Sequence, residues 1–412
     1  MSRRTLWLGA AVVLLGVNLR PGASAIGPLL AEIRADLGLS AGLASGLTAL
    51  PGFCFAIFGA LAVGIAARVG LTRALAGSAI CITVGLLARS IIGSEWPFLA
   101  LSVLAIAGMA VANVLVPGYI RRTFPGQVPA LTSAYSTSLA GGATLAVGLA
   151  APLAARLPGG WRASLAVWGV TALLAAVGWI AVAIVTGRRE RHTASVAGAD
   201  PVAVTDSARL PMWAAARSPK AWALAVFFGT QSTQAYVQFG WLPQMYRDGG
   251  LSPQAAGLML SIVAGFGIPA SLLMPLLVAR VPDLRPLIVL LGLLLAVGYA
   301  GVLLAPTTLP WLWASALGVS GAAFPLAIAL ITLRTGDPAV TTSVSGFVQS
   351  VGYLLAGIGP FAIGLLHDAA GGWTVPLILL AACGLPLALA GMRAGSPGLI
   401  DTELAHHWSA GN

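Results

Sequence analysis

Apolar runs of about 20 residues recur along the whole chain, parted by short polar stretches rich in Gly, Pro and Arg. A helix of that length crosses the roughly 30 Å hydrocarbon core of a bilayer. Inside that core every backbone polar group must be satisfied internally, which helices do. The pattern predicts twelve spans, at about 6–30, 43–66, 74–93, 97–120, 128–155, 164–186, 219–245, 254–279, 286–305, 311–333, 339–366 and 373–392. One longer polar, Arg-rich stretch, 187–218, breaks the series in the middle and reads as a linker. It divides the chain into a first half, 1–186, a second half, 219–393, and a tail, 394–412, each half with six spans.

Composition agrees: 58% of the 412 residues are hydrophobic and 8% are charged, outside the range of soluble domains. The net charge of +10 is a topology signal. With the N-terminus inside, sixteen Arg and Lys fall on the cytoplasmic side and five outside, Arg89 among the latter. That bias puts both termini in the cytoplasm and the chain in the cytoplasmic (inner) membrane. Basic residues interleaved with stacking aromatics, as nucleic-acid binding needs, are not found. Cys54, Cys81 and Cys383 all lie inside predicted spans, so they form no disulfide framework. The first run is too long for a cleavable signal. No cluster of His, Cys or acidic residues offers a metal, a cofactor or a nucleophile–base pair, so nothing here points to an enzyme.

The halves repeat at a constant offset of 212 residues. Asp36 matches Asp248, Leu39-Ser40 matches Leu251-Ser252, and Arg68, Val69 and Arg73 match Arg280, Val281 and Arg285. Gly159-Gly160-Trp161 matches Gly371-Gly372-Trp373. Six plus six spans in parallel repeat is the architecture of the major facilitator fold: all-α, integral to the membrane, with two pseudo-symmetric halves and a substrate site near the midplane.

Arg20 stands near the centre of the first run, in Asn18-Leu19-Arg20-Pro21. A guanidinium there is costly and remains charged. All twelve Asp and Glu lie in loops, tails or span ends, so a small anionic substrate is the natural counter-ion. Pro21 removes a helix donor and disfavours the α conformation at Arg20, which predicts a kinked or unwound first span. The repeat sets Ser232 opposite Arg20. One charged wall facing one hydrogen-bonding wall suits a monoanion. In the seventh span Gln231, Gln234 and Gln238 share a face, in reach of substrate or of neighbouring helices. Ser345, Gln349 and Tyr353 form a similar stripe in the eleventh. Asn113 and Tyr135 are single polar residues in apolar surroundings, serving equally well as interhelical glue or as ligand contacts. Asn18 faces away from Arg20 in a regular helix and orients neighbouring helices.

Asn18-Leu19-Arg20-Pro21 followed by Ile26-Gly27-Pro28-Leu29-Leu30, with Asn113-Val114-Leu115-Val116-Pro117, Trp241-Leu242-Pro243 and the stretch Gln349 to Pro360, resembles the cyanate/nitroimidazole transporter (CynX/NimT) family of the major facilitator superfamily. The resemblance runs from Asn18 to Pro376. It implies secondary transport of a small solute, often an anion. One feature departs from the superfamily pattern G-x-x-x-D-R-x-G-R in the loop after the second span. Here Ala67 occupies the acidic position ahead of Arg68, Gly70 and Arg73. The combined expectation is alternating-access transport of a small monoanion by a monomer. Arg20, Asn113, Tyr135, Gln231, Gln234, Gln238, Gln349 and Tyr353 are the substrate-binding candidates. The partners are the substrate and the lipid bilayer, with no cofactor, metal or nucleic acid. The competing expectation is export of small neutral heteroaromatic compounds.

Overall fold

The computed structural model describes residues 3–196 and 211–409, which are helix, turn and loop with no strand. The middle of the expected linker, 197–210, and the end of the tail, 410–412, lie outside the described residues. The first predicted span and the loop beyond it comprise α1 (Arg3–Asn18), α2 (Pro21–Ser24) and α3 (Ile26–Leu37). Four unbroken span helices follow, α4 (Ala41–Val69), α5 (Leu71–Arg89), α6 (Glu95–Thr123) and α7 (Val128–Arg156), and then α8 (Gly160–Val196), whose helix continues ten residues past 186. A 3-10 turn, Met212–Arg217, leads into α9 (Pro219–Asp248). The eighth span is α10 (Pro253–Gly265) with α11 (Gly267–Arg280), and the ninth is α12 (Arg285–Leu304). The tenth is α13 (Pro310–Ser320) with α14 (Ala323–Leu333), the eleventh α15 (Pro338–Ala370), and the twelfth α16 (Thr374–Ala382) with α17 (Gly384–Gly395). Within the expected tail, α18 (Ile400–Ser409) is an additional helix.

Eleven of the twelve spans are long and apolar enough to cross a membrane by length and composition. The twelfth, α9, has the length: 30 residues rise about 45 Å. Its glutamines, serine and threonines lower its hydropathy, and of these Gln231, Ser232, Gln234 and Gln238 are buried. Helix ends follow local chemistry. Ser218, Ser252 and Asp337 each cap a helix through their side chains, and each precedes a proline at the first helical position. Gly38 and Gly371 close α3 and α15 in the left-handed conformation that a glycine adopts without strain.

The described residues fall into two compact units: Met1–Gly38 with Ile57–Asp206, and Leu39–Ala56 with Ser207–Asn412. In the first unit α5 packs along α6 through small residues. A methyl on Gly85 would stand 2.6 Å from the Leu101 carbonyl oxygen, and one on Gly108 would stand 2.6 Å from that of Ser78. Such close backbone approach is how helices associate where lipid removes the hydrophobic drive. In the second unit Gly292 and Gly384 let α12 and α17 approach in the same way. Large apolar residues remain exposed in helical register, as at Leu173, Val177 and Ile180 on α8 and Leu272, Leu273 and Leu276 on α11, which is where lipid contacts a spanning helix.

The sequence repeat is also a structural repeat. Trp161 Nε1 donates to Asp36 Oδ2 at 3.2 Å, and Trp373 Nε1 donates to Asp248 Oδ2 at 2.7 Å. Both pairs tie the end of a half's first helical span to the start of its sixth, with both partners shifted by 212. In the first half Arg162 joins the pair, and its guanidinium holds the Asp36 carboxyl below the usual carboxylate range.

Candidate functional site

The first span breaks at the arginine–proline step. Residues Leu19 and Arg20 are bends between α1 and α2, and Arg20 has φ −121° and ψ −37°, off the helical path. The Arg20 carbonyl starts the new turn, accepting from Ala23 N and Ser24 N at 3.0 Å and from Ser24 Oγ at 3.1 Å. Pro21 has no N–H to give to the carbonyl four residues back, that of Val17. That carbonyl is met instead by α7: a methyl on Gly142 would lie 2.1 Å from Val17 O. One turn along α7, a methyl on Gly16 would stand 2.2 Å from Ser138 Oγ and 3.2 Å from Tyr135 Cδ2. Tyr135, Ser138 and Gly142 therefore form the face of α7 that receives the broken span.

Tyr135, 6% exposed, donates its hydroxyl to Asn113 Oδ1 at 3.1 Å, linking α7 to α6. The half-buried Arg20 acts electrostatically on the same phenol. Of the eight candidates, Tyr135 and Asn113 are thus joined directly in the first unit, and Arg20 acts on the phenol through its charge. Asn18 turns to α8, accepting from Thr171 Oγ1 at 2.8 Å and donating to Leu14 O at 2.8 Å, as its position two residues from Arg20 led us to expect.

The other five candidates lie in the second unit. Gln349 Nε2 donates to Ser345 Oγ at 2.8 Å, within the stripe expected on α15. Tyr353, further along that stripe, packs edge-on against Phe228 with ring centroids 5.3 Å apart and lies 6.2 Å from Phe55. Gln231, Gln234 and Gln238 are at most 5% exposed and face the interior of this unit. Gln238 meets the wholly buried Tyr299 of α12, Gln234 meets Cys383 at the α16–α17 break, and Gln231 approaches Gly321 at the α13–α14 break. Neither amide atom of Gln234 has a well-formed hydrogen bond among the described residues. A buried amide left in that condition costs about 1–3 kcal/mol, whereas an apolar group of the same shape does not. Gln234→Met is therefore expected to leave the melting temperature unchanged or raise it, with transport retained. Transport lost at full stability would show that the stripe carries solute.

Arg89, counted on the outer side in the topology reading, is 1% exposed and buried in the first unit. Its Nη2 donates to the Gly22 carbonyl at 2.7 Å and its Nη1 to Ser102 Oγ at 3.3 Å, with the guanidinium over the Phe98 ring. The charge turns inward because the broken span places a backbone acceptor within its reach. The signal available in sequence was its place inside the predicted 74–93 span.

The loop that carries Ala67 borders a cavity of about 270 Å³ between the ends of α4, α5, α6 and α8, with Arg68, Arg73 and Arg122 in its wall and no carboxylate. Among the described residues, no group of His, Cys, Asp and Glu is placed to hold a metal ion.

Comparison with known proteins agrees with this architecture. The sequence model of the Major Facilitator Superfamily matches residues 6–360. The 2-nitroimidazole transporter of Escherichia coli (strain K12) is 34% identical over 396 residues, 96% of each chain. The cyanate transport protein CynX of the same organism is 30% identical over 386 residues, 93% of this chain and 95% of that one. Among solved structures, the xylose transporter XylE from E. coli matches with a TM-score of 0.73 at 16% identity, over 97% of this chain and 99% of that one, a likeness of fold alone. With twelve helical spans, a repeat written in both sequence and hydrogen bonds, and homology along nearly its whole length to the cyanate and 2-nitroimidazole transporters, this chain belongs to the Major Facilitator Superfamily and is a multi-pass membrane transporter.

Proposed function

We propose that this transporter moves a small monoanion, cyanate-like or carboxylate-like, across the cytoplasmic membrane by alternating access, with both termini inside and Arg20 as the charge that meets the substrate. The observation that supports this reading is the break in the first span at the half-buried Arg20, whose charge acts on the phenol of the Tyr135–Asn113 pair. A planar guanidinium offers paired donors to a compact anion, and the phenol adds a further polar contact. One relative is named for cyanate, itself a small monoanion. No Asp, Glu or His stands at the middle of a span, so the usual side-chain proton carriers are lacking. Exchange, uniport, or a proton carried by the substrate fits that composition. Gln349 and Tyr353 are proposed to contribute polar contacts from the second unit.

A second reading has its own observation. The Phe228–Tyr353–Phe55 grouping offers ring faces and edges to a flat heteroaromatic compound, and a relative is named for 2-nitroimidazole. The test is thermal stabilisation of the purified protein by cyanate, formate, acetate and benzoate against 2-nitroimidazole, at a mildly acidic pH where the carboxylates are ionised and the heterocycle keeps its ring N–H and is neutral. A ligand bound at 100 times its Kd raises stability by about 2.7 kcal/mol. Stabilisation by the small monoanions supports the first reading. Stabilisation by the neutral heterocycle alone sinks it in favour of the second.

A further inference from the structure

Arg89 is wholly buried, yet no carboxylate pairs with it among the described residues. Its compensation comes from the Gly22 carbonyl, the Ser102 hydroxyl and the Phe98 ring. Ser102 is itself anchored, donating to Phe98 O at 2.8 Å. A buried guanidinium held chiefly by neutral acceptors is an expensive arrangement, and removing one partner of such a set leaves the remainder stranded. Gly22 lies two residues beyond Arg20, in the short turn between the two breaks of the first span. It is also closely packed: a methyl there would stand 2.2 Å from Met109 Cε and 2.7 Å from Leu86 Cδ2. Arg89 thus bonds the backbone of that turn at the face where the turn meets α5 and α6, whereas Tyr135 on α7 is the group on which the Arg20 charge acts.

The repeat supplies an internal comparison. In the second half the position of Pro21 is Thr233, and α9 runs unbroken from Pro219 to Asp248. The position of Arg89, at 89 plus 212, is Gly301. The half with a broken first helix has the buried arginine, and the half with a continuous one has a glycine in its place.

We infer that Arg89 is a positioning residue, which pins the α2 turn through Gly22 and so sets the direction in which Arg20 projects. The inference deepens the proposed function and rests on it for its consequence, the placing of the substrate's counter-charge. A pin of this kind acts through backbone geometry, so it can be read without any substrate. The experiment uses the full-length protein with Cys54, Cys81 and Cys383 replaced by alanine and Arg20 replaced by cysteine. The rate at which a neutral methanethiosulfonate, insensitive to the loss of a nearby charge, modifies that cysteine is compared with Arg89 intact, with Arg89→Gln and with Arg89→Lys. The expected result is a tenfold or larger shift in rate for Arg89→Gln and a smaller shift in the same sense for Arg89→Lys, whose ammonium retains the charge but cannot fork between Gly22 and Ser102. A rate within twofold of the parent for Arg89→Gln overturns the inference. Should Arg89→Gln fail to fold, the same result for Arg89→Lys overturns it. A second arm measures stabilisation by cyanate and formate with Arg20 restored. Labelling that shifts while no anion stabilises even the wild type leaves the pin standing and removes the anion reading. Anions that stabilise the wild type while labelling stays constant do the reverse.

Discussion

Arg20→Gln is expected to lower the affinity for small monoanions by about 30-fold, while binding of 2-nitroimidazole in its neutral form changes little. Losing one partner of a desolvated charge pair costs about 2–5 kcal/mol, and each 1.4 kcal/mol is a factor of ten. Arg20 is only half-buried, which places the expectation at the lower end of that range. Arg20→Lys should fall between, losing about tenfold, because an ammonium keeps the charge but not the paired planar donors. Isothermal titration of the purified variants checks both. Equal anion affinity in wild type and Arg20→Gln would falsify the assignment of Arg20 as counter-charge. Glutamine preserves polarity and much of the length, so a loss caused only by a collapsed site is separable through the retained binding of the neutral ligand.

The second large effect is expected at Gly142. Alanine there puts a methyl 2.1 Å from the Val17 carbonyl oxygen, which is backbone and cannot swing aside. Overpacking of this kind costs about 1–3 kcal/mol, against which the helix-propensity gain of about 1 kcal/mol from replacing glycine is small. The neighbouring Gly141 is an internal control, since a methyl there meets nothing within 4 Å. Gly141→Ala should therefore be neutral or stabilising, and Gly142→Ala should lower the melting temperature and weaken anion binding together. Anion binding weakens because the face of α7 that meets α1 also carries Tyr135. Matching melting curves for the two variants would show that α1 and α7 do not depend on this contact.

How much of this was legible in advance follows from the physics of each feature. The break at Arg20 was legible because proline's missing N–H and its restriction of the preceding residue are local covalent properties. That Gly142 would come to the freed Val17 carbonyl was not, since the two are 125 residues apart in a chain containing 51 glycines. The seventh span was legible as a helix from its length, and its amides were legible as one face. Which way that face turned was not. Periodicity groups residues on a side of a helix but does not say which neighbour the side meets, and here it meets α12 and the breaks at Gly321 and Cys383. The burial of Arg89 was not legible for a related reason. An arginine at the end of an apolar run usually reaches out to water, and only the nearby carbonyl of Gly22 shows why this one reaches in.

By itself the sequence determined the membrane class, the number of spans, the twofold repeat and the kink at Arg20. Each of these depends on the length and polarity of a local segment or on residues matched at one offset, and bilayer thickness makes that local information decisive. Tertiary structure alone decided which polar side chains meet: Tyr135 with Asn113, Asn18 with Thr171, Asp36 and Asp248 with their tryptophans, and Arg89 with Gly22. Those pairings depend on how helices distant in sequence are rotated and spaced against one another. Packing of small residues sets that rotation, and an apolar sequence rich in Ala, Gly and Leu offers many near-equivalent ways to write it.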